Sequence, residues 1–446
     1  MYYQYMKIIN DCLHHDIRMS DVAIQIIDTP LYERQNSIKQ TSMAYRVWPS
    51  ATHTRKNHQI GTYGLTANTQ NSLIARNHLI VDKDLKHPQS VKEMTESLLR
   101  GEMPRITKDE FEWICLGGLV HDLGHGPASH SFDDLLEELV ESGELSEDHP
   151  WLTHEQRSQI FFKYLVDKYK IPLSETAVEY ICQIIEPDNE NSHDFRFQFI
   201  NNKINGVDLD KIDYIARDNY VFGLSATIDI NRMLSNCSIS VDTQSDMTSN
   251  KSDNESNITT KGTYWSFNER IRNDLFNLFM VRFRLYKEIY NHPKVVKFEL
   301  AYGDVLLDQK TLILKAINEE DIDLFSSFTD ESILWKASET ARSNFLRRDR
   351  YCLVNKDRRS MSYEEMNTEN KNKEYDELDE KRIHDIREIY RTVGFFGKQG
   401  LNPFDFIRFY NRKTGDIVKL KPEDINLFLT FDCTCETMIY HYQKNC

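Results

Sequence analysis

Residues 107–130 read TKDEFEWICLGGLVHDLGHGPASH. Thr107 and Glu110 have the spacing of a capping box, in which two side chains satisfy the free N–H groups of a helix start. Behind them Phe111, Ile114, Cys115 and Leu119 recur near helical spacing, so the stretch reads as a buried helix ending close to Gly124. That helix brings His121 and Asp122 side by side to its buried end. Two adjacent polar side chains are costly there unless they pair or bind a metal. An imidazole beside a carboxylate suits a divalent ion of the Mn, Fe, Zn or Mg range. Gly124, Gly126 and Pro127 then turn the chain away from helix around His125 and toward His130.

Helical patterns continue on either side. A second capping box, Thr153 to Gln156, leads a helix with Ile160, Phe161, Tyr164 and Leu165 on one side, and a third pattern runs from Asn273 to His292. Short β-like runs, MAYRVWP near the front and DFIRFYNRKTGDIVKL near the back, predict small sheets, the latter as a hairpin. The fold class expected is mostly α, with a smaller mixed α/β C-terminal lobe. The chain of 446 residues is long enough for two lobes, divided here as 1–330 and 331–446. Residues 242–262, DTQSDMTSNKSDNESNITTKG, have almost no apolar side chains and read as a flexible insertion. The charge run 356–382 reads as a solvated helix or linker.

A formal net charge of −15 argues against nucleic-acid binding as the main role and leaves it secondary at most. A polyanionic ligand must then be drawn by a local pocket. The eight cysteines form no CxxC pair and read as reduced thiols of an intracellular, cytoplasmic protein, with a nuclear location also compatible. No apolar run is long enough for a membrane span, and the start lacks the pattern of a secretory signal.

A metal at His121 and Asp122 needs further ligands. ATHTRKNHQIG offers His53, Arg55 and His58, and NGVDLDKIDYIARDN offers Asp208, Asp210, Lys211, Asp213, Tyr214 and Asp218. In the second, Leu209, Ile212 and Ala216 can face a core, with Lys211, Tyr214 and Asp218 on another face. The plain alternative is an amphipathic surface helix with solvated charges.

A distant His, an adjacent His-Asp pair and a later Asp form the pattern of the HD superfamily of metal-dependent phosphohydrolases. More narrowly, the chain resembles the sterile-alpha-motif and HD-domain deoxynucleoside triphosphate triphosphohydrolases. The matching stretches are KIINDCLHH, IIDTPLYERQNSIKQ, THTRKNHQIG, HDLGHGPASHSFD, Thr153 to Gln156, NGVDLDKIDYIARD, RFRLYKEIYNHPKV and, less closely, NPFDFIRFY. The chain begins almost at the HD domain, so the front sterile-alpha-motif module is expected to be absent.

The resemblance implies an HD helical fold over 1–330 and His58, His121, Asp122 and Asp210 as metal ligands. It implies attack of metal-activated water on the α-phosphorus, releasing deoxynucleoside and inorganic triphosphate, with Mg²⁺ accompanying the triphosphate. His125 and His130 serve the phosphates and leaving group. A poor alkoxide leaving group needs a proton, and histidine is suited to give it near neutral pH. His130, oriented by Asp133, is the donor read here. His154 starts a helix whose N-terminus favours anions, so it reads as a phosphate contact or second donor. Arg55, Lys211 and Arg282 would neutralise the triphosphate. Gln40 and Asp218 would hold the sugar 3′-hydroxyl, and Tyr290, with Tyr214, would crowd C2′ against a ribose hydroxyl.

A homo-oligomer, dimer or tetramer, is also implied. So is a guanine-nucleotide activator site, in which Lys7 matches a phosphate contact and Asp28 the reader of guanine. The family's arginine there falls on Asn36, which removes a charge-assisted contact of about 1.5–3 kcal/mol. Two other readings stay open: an HD nucleotidase or phosphodiesterase, and a regulatory nucleotide- or nucleic-acid-binding protein with a vestigial site.

Overall fold

The computed structural model describes residues 5–241, 262–348, 350–362, 386–394, 403–414, 416–418 and 434–444. The chain opens with a hairpin, β1 (Tyr5–Asp11) against β2 (His15–Ser20). A helical body follows, and its central members are α1 (Arg55–Ala75) and α2 (Lys108–Val120). Thr107 and Glu110 form the capping box read from the sequence, and Phe111, Ile114, Cys115 and Leu119 are all buried. Around this pair lie α3 (His130–Glu141), α4 (His154–Tyr169) and α5 (Leu209–Phe222). The Thr153–Gln156 capping box starts α4 as read. A mostly helical fold with small mixed sheets is what the sequence pattern predicted.

Three local expectations are corrected. MAYRVWP is not a strand, because residues Ser42–Arg46 turn as a 3-10 helix with Met43 and Ala44 in the core. The small front sheet is instead the β1–β2 hairpin. The helix read over Asn273–His292 is not continuous: α6 (Arg272–Arg284) passes into a π-helical turn, Leu285–Tyr290, before His292 caps α7 (Pro293–Asp308). The charge run from Lys356 begins as strand, since β5 is Tyr351–Ser362; the rest of that run, 363–382, and the insertion at 242–261 lie outside the described residues.

Besides a short parallel pair of Ile80–Val81 with Arg105–Ile106, two larger sheets flank the body. β3 (Cys237–Val241) pairs antiparallel with β4 (Thr263–Asn268). β4 in turn pairs in parallel with β7 (Arg408–Tyr410), the first strand of the hairpin read near the C-terminus, and β8 (Ile417–Val418) closes it. The other sheet has the order β5, β9 (Thr434–Lys444), β6 (Ile386–Gly394), all antiparallel. It rests on α7 through buried Tyr440 and Tyr442, whose hydroxyls donate to the carbonyls of Asn291 and Pro293. Among the described residues no helix is long and apolar enough to cross a membrane, and Cys12, Cys115, Cys182, Cys237 and Cys352 are free thiols.

Candidate metal centre and the histidines beside it

α2 ends at Val120, so His121 keeps helical dihedrals as its cap and Asp122 opens the turn. The turn is tight and strained: Ala128 and Ser129 both have left-handed φ, 59° and 56°, which costs each non-glycine residue about 1–3 kcal/mol. Three contacts offset this. The Ala128 N–H donates to Asp330 Oδ1 at 2.7 Å, the Ser129 hydroxyl to the Lys39 carbonyl at 2.8 Å, and Arg55 Nε to that hydroxyl at 3.0 Å. Asp330 is the first residue of α8 (Asp330–Lys336). Gly124 lets the turn press on the start of α4, for a Cβ there would stand 2.3 Å from the His154 carbonyl.

The turn and helices α1 and α5 bring four candidate ligands together. His58 Nε2 lies 3.2 Å from His121 Nε2 and 2.9 Å from Asp210 Oδ1, and His121 Nε2 lies 3.4 Å from the same oxygen. Asp122 adds its two oxygens at 3.7 Å from His58 Nε2 and 3.5 Å from His121 Nε2. The other nitrogen of each ring is committed. His58 Nδ1 faces Asp213 Oδ2 at 2.7 Å and His121 Nδ1 faces the Gly118 carbonyl at 2.9 Å. A carboxylate and a carbonyl only accept, so both Nδ1 atoms carry the proton and both Nε2 lone pairs point into one spot. Two lone pairs and two carboxylates converging in a buried place repel unless a cation sits among them. Burial pushes both rings toward the neutral form, yet Asp210 and Asp213 lift His58 to about 10, and Asp122 and Asp210 lift His121. The demand for positive charge is thus built in, and the N/O donor set fits a divalent ion.

Alongside lies a second group of His125, His130, Asp133 and His154. The rings of His125 and His154 stack at 4.0 Å between centroids, with His130 edge-on to both. His125 Nε2 is 3.3 Å from Asp122 Oδ1 but off the line of a hydrogen bond, so both its buried nitrogens lack a partner. Such orphaned groups call for a ligand. Burial and the nearby Arg55 hold His125 well below the ordinary histidine range, hence neutral. Asp133 is gripped by Arg157 and turns Oδ2 toward two rings, 3.2 Å from His154 Nδ1 and 3.7 Å from His130 Nδ1. The shorter of the two contacts goes to His154, so Asp133 faces His154 as well as the His130 ring it was read to orient. His130 keeps 68% of its side chain exposed.

No family model matches the chain. It is 26% identical over 445 residues to an HD domain-containing protein of Acanthamoeba polyphaga mimivirus, covering 94% of this chain and 88% of that protein. It is 25% identical over 351 residues to the deoxynucleoside triphosphate triphosphohydrolase SAMHD1 homolog of Dictyostelium discoideum, covering 78% of this chain and 58% of that protein. With human SAMHD1 the identity is 31% over 256 residues, 51% of this chain and 35% of the human protein. This chain is similar to the SAMHD1-type deoxynucleoside triphosphate triphosphohydrolases. It spans about half or less of the length of the vertebrate SAMHD1 proteins it matches.

The residues read from the sequence as substrate contacts lie on α1, α5 and the α6–π segment, with Gln40 in a turn before α1. Arg55 is buried and already holds Asp122 at 2.6 Å, while its Nη2 reaches the Gln40 carbonyl at 3.4 Å. Gln40 keeps its side-chain oxygen buried without a partner. Lys211 pairs with buried Asp208 at 2.7 Å. Arg282 lies over the Tyr286 ring at 4.6 Å, and Tyr286 packs edge-on against Tyr290. Asp218 is occupied on both oxygens, by the Tyr290 hydroxyl and by His53 Nε2 at 2.6 Å. Tyr214 packs edge-on to the His58 ring. At the N-terminal edge Lys7 and Asp28 form an exposed ion pair at 3.4 Å, and Asn36 is exposed nearby in sequence.

Sequence reasoning gave no role to Asp213, Arg157, Asp330 or His14. Asp213 was named among the acids of NGVDLDKIDYIARDN, and its place one turn beyond Asp210 on the same helix was the available signal. His14 stands in KIINDCLHH, one of the matching stretches, whereas nothing in their local sequence marks Arg157 and Asp330, which act from distant elements.

Proposed function

We propose that the chain is a metal-dependent phosphohydrolase that cleaves dNTPs to deoxynucleoside and inorganic triphosphate. The observation that carries this reading is the convergence of two histidine lone pairs and two carboxylates next to a row of three histidines. His58, His121, Asp122 and Asp210 would hold the ion, and Fe, Mn, Zn or Mg all suit that donor set. When bound, it would supply Lewis-acid activation and neutralise charge on the phosphate oxygens, with Mg²⁺ on the triphosphate doing the same further out.

The protein's own groups have separable tasks. Arg55 fixes Asp122 and adds positive charge beneath the α-phosphate. Neutral His125, with two unpaired nitrogens, is suited to a phosphate oxygen. His130 is the exposed ring of the three and is the one that can reach a leaving 5′-oxygen and give it a proton, with Asp133 behind it. His154 shares that carboxylate, and although burial lowers its pKa, Asp133 and Glu155 raise it overall, so it can pass a proton to its neighbours. Lys211 and Arg282 would meet the outer phosphates, which reconciles a net charge of −15 with a polyanionic substrate. Tyr290, tied to Asp218, would wall off C2′, and Tyr214 would line the same side. Gln40 and Asp218 are the groups offered to the 3′-hydroxyl. The SAMHD1 relatives are named as triphosphohydrolases of deoxynucleoside triphosphates, and this supports the same substrate class here.

The test is incubation of the purified chain with Mg²⁺ or Mn²⁺ and each dNTP, with products resolved by ion exchange. Triphosphate and deoxynucleoside are the expected products. Orthophosphate would identify a nucleotidase, a monoester a phosphodiesterase, and no turnover a binding protein; each overturns the proposal.

A further inference from the structure

The turn of the β1–β2 hairpin reaches the metal centre by a chain of buried contacts. Asp11 Oδ1 accepts the backbone N–H groups of Leu13 at 2.8 Å and His14 at 3.0 Å, which shapes the turn. His14, its side chain only 4% exposed, sets Nε2 at 2.6 Å from Asp213 Oδ1. The other Asp213 oxygen accepts His58 Nδ1 at 2.7 Å. Arg217 grips both Asp213 oxygens at 2.9 Å and Asp11 Oδ2 at 2.9 Å with its remaining nitrogen. The circuit is closed: one acid forms the turn and anchors the arginine, and turn and arginine both fix the second acid. Gly61, one turn after His58 on α1, makes room for it, since a Cβ there would stand 2.4 Å from Asp213 Oδ1 and 2.1 Å from Arg217 Nη2.

We infer that His14 is a positioning residue of the metal centre, acting through Asp213 to fix the ring of His58 and so to set the affinity for a divalent cation. This rests on the metal reading proposed above. Asp213 receives four donors. Removal of the His14 donor leaves an oxygen of a fully buried carboxylate short of a partner. The carboxylate then turns to recover one, and the His58 ring turns with it, moving Nε2 off the point it shares with His121. Losing a partner behind a ligating histidine weakens metal affinity by about 10- to 100-fold in comparable sites.

The experiment is competition for Mn²⁺ against a chelator, read by the electron paramagnetic resonance of free Mn²⁺, on the full chain. His14→Ala and His14→Phe, the second keeping the ring volume without the N–H, are expected to bind Mn²⁺ about 10- to 100-fold more weakly than wild type. His14→Gln carries an N–H at the reach of Nε2 and is expected to recover most of that loss. His15→Asn, an exposed neighbour in the same turn, is expected to bind as wild type does. Melting of the metal-free chains by circular dichroism reads the purely structural share. Wild-type affinity in either the Ala or the Phe variant overturns the inference, as does a lowered melting temperature with unchanged Mn²⁺ binding. An equal loss in His15→Asn also overturns it. A wild-type chain that takes up no Mn²⁺ overturns the metal centre itself, a result distinct from these.

Discussion

His121 and Asp210 approach one point from the end of α2 and the first turn of α5, so each is a single side chain with a single task. His121→Ala or Asp210→Ala should abolish dNTP hydrolysis and lower the metal content of the purified protein, while far-ultraviolet circular dichroism stays that of wild type; substantial turnover in either variant contradicts the ligand assignment. Tyr290 is a different kind of residue. Its hydroxyl is spent on Asp218, so its ring edge is what a ribose would meet. Ribonucleotides should be cleaved far more slowly than deoxyribonucleotides, and Tyr290→Ala should narrow the difference; equal rates on ATP and dATP in the wild type remove the gate. At this scale the sequence was legible where chemistry was adjacent in the chain. His121, Asp122, His125 and His130 announce themselves within ten residues. Asp213 does not, because beyond Arg217, one helical turn along α5, its partners His14 and His58 come from two other parts of the chain that only folding brings to one carboxylate.

Elements were legible where they carry their own punctuation. Capping boxes at Thr107 and Thr153 fix the starts of α2 and α4 with side chains three residues away. Thr153→Ala removes the acceptor for the Gln156 N–H and should cost about 1 kcal/mol of stability, measurable by urea unfolding, with an added loss of turnover because His154 is the next residue. The segment at 42–46 misled because β-like side chains there serve a 3-10 turn, a case of tertiary packing overriding local preference. The π-turn at Leu285–Tyr290 has no sequence mark either, yet it aims Tyr286 and Tyr290 at the site, in keeping with where such turns occur. α2 also carries Glu112, buried against the Ser20 hydroxyl; burial pushes its carboxyl up to about 7 against the opposing hydrogen bond. A raised folded-state pKa means the protonated form stabilises the fold. That contribution is complete below the ordinary pKa near 4.5 and is lost as pH rises through about 7. The melting temperature should therefore fall between about pH 4.5 and 7 and level off above, and Glu112→Gln, which mimics the protonated acid, should flatten the fall.

For the whole molecule the question is whether the N-terminal edge controls the site. Arg34, the nearest arginine to Asn36, is buried and donates to the carbonyls of Phe328 and His125, each at 2.8 Å. It is part of the scaffold under the turn that follows His121 and is not available to a guanine base. Lys7 and Asp28 remain, an exposed pair of small intrinsic worth. GTP should accordingly change dNTP hydrolysis little, and the basal rate should not need it; strong activation at micromolar GTP, measured with and without the nucleotide, contradicts this. The clamp on that same turn has a consequence in time. Ala128 is held by Asp330, 202 residues further along the chain. At roughly 5–20 residues per second of synthesis, the turn leaves the ribosome about 10–40 s before the carboxylate that steadies it. A nascent chain therefore displays HDLGHG for all that interval before the contact that holds Ala128 in its left-handed conformation can form, so the geometry of the turn is completed only after residue 330 has emerged.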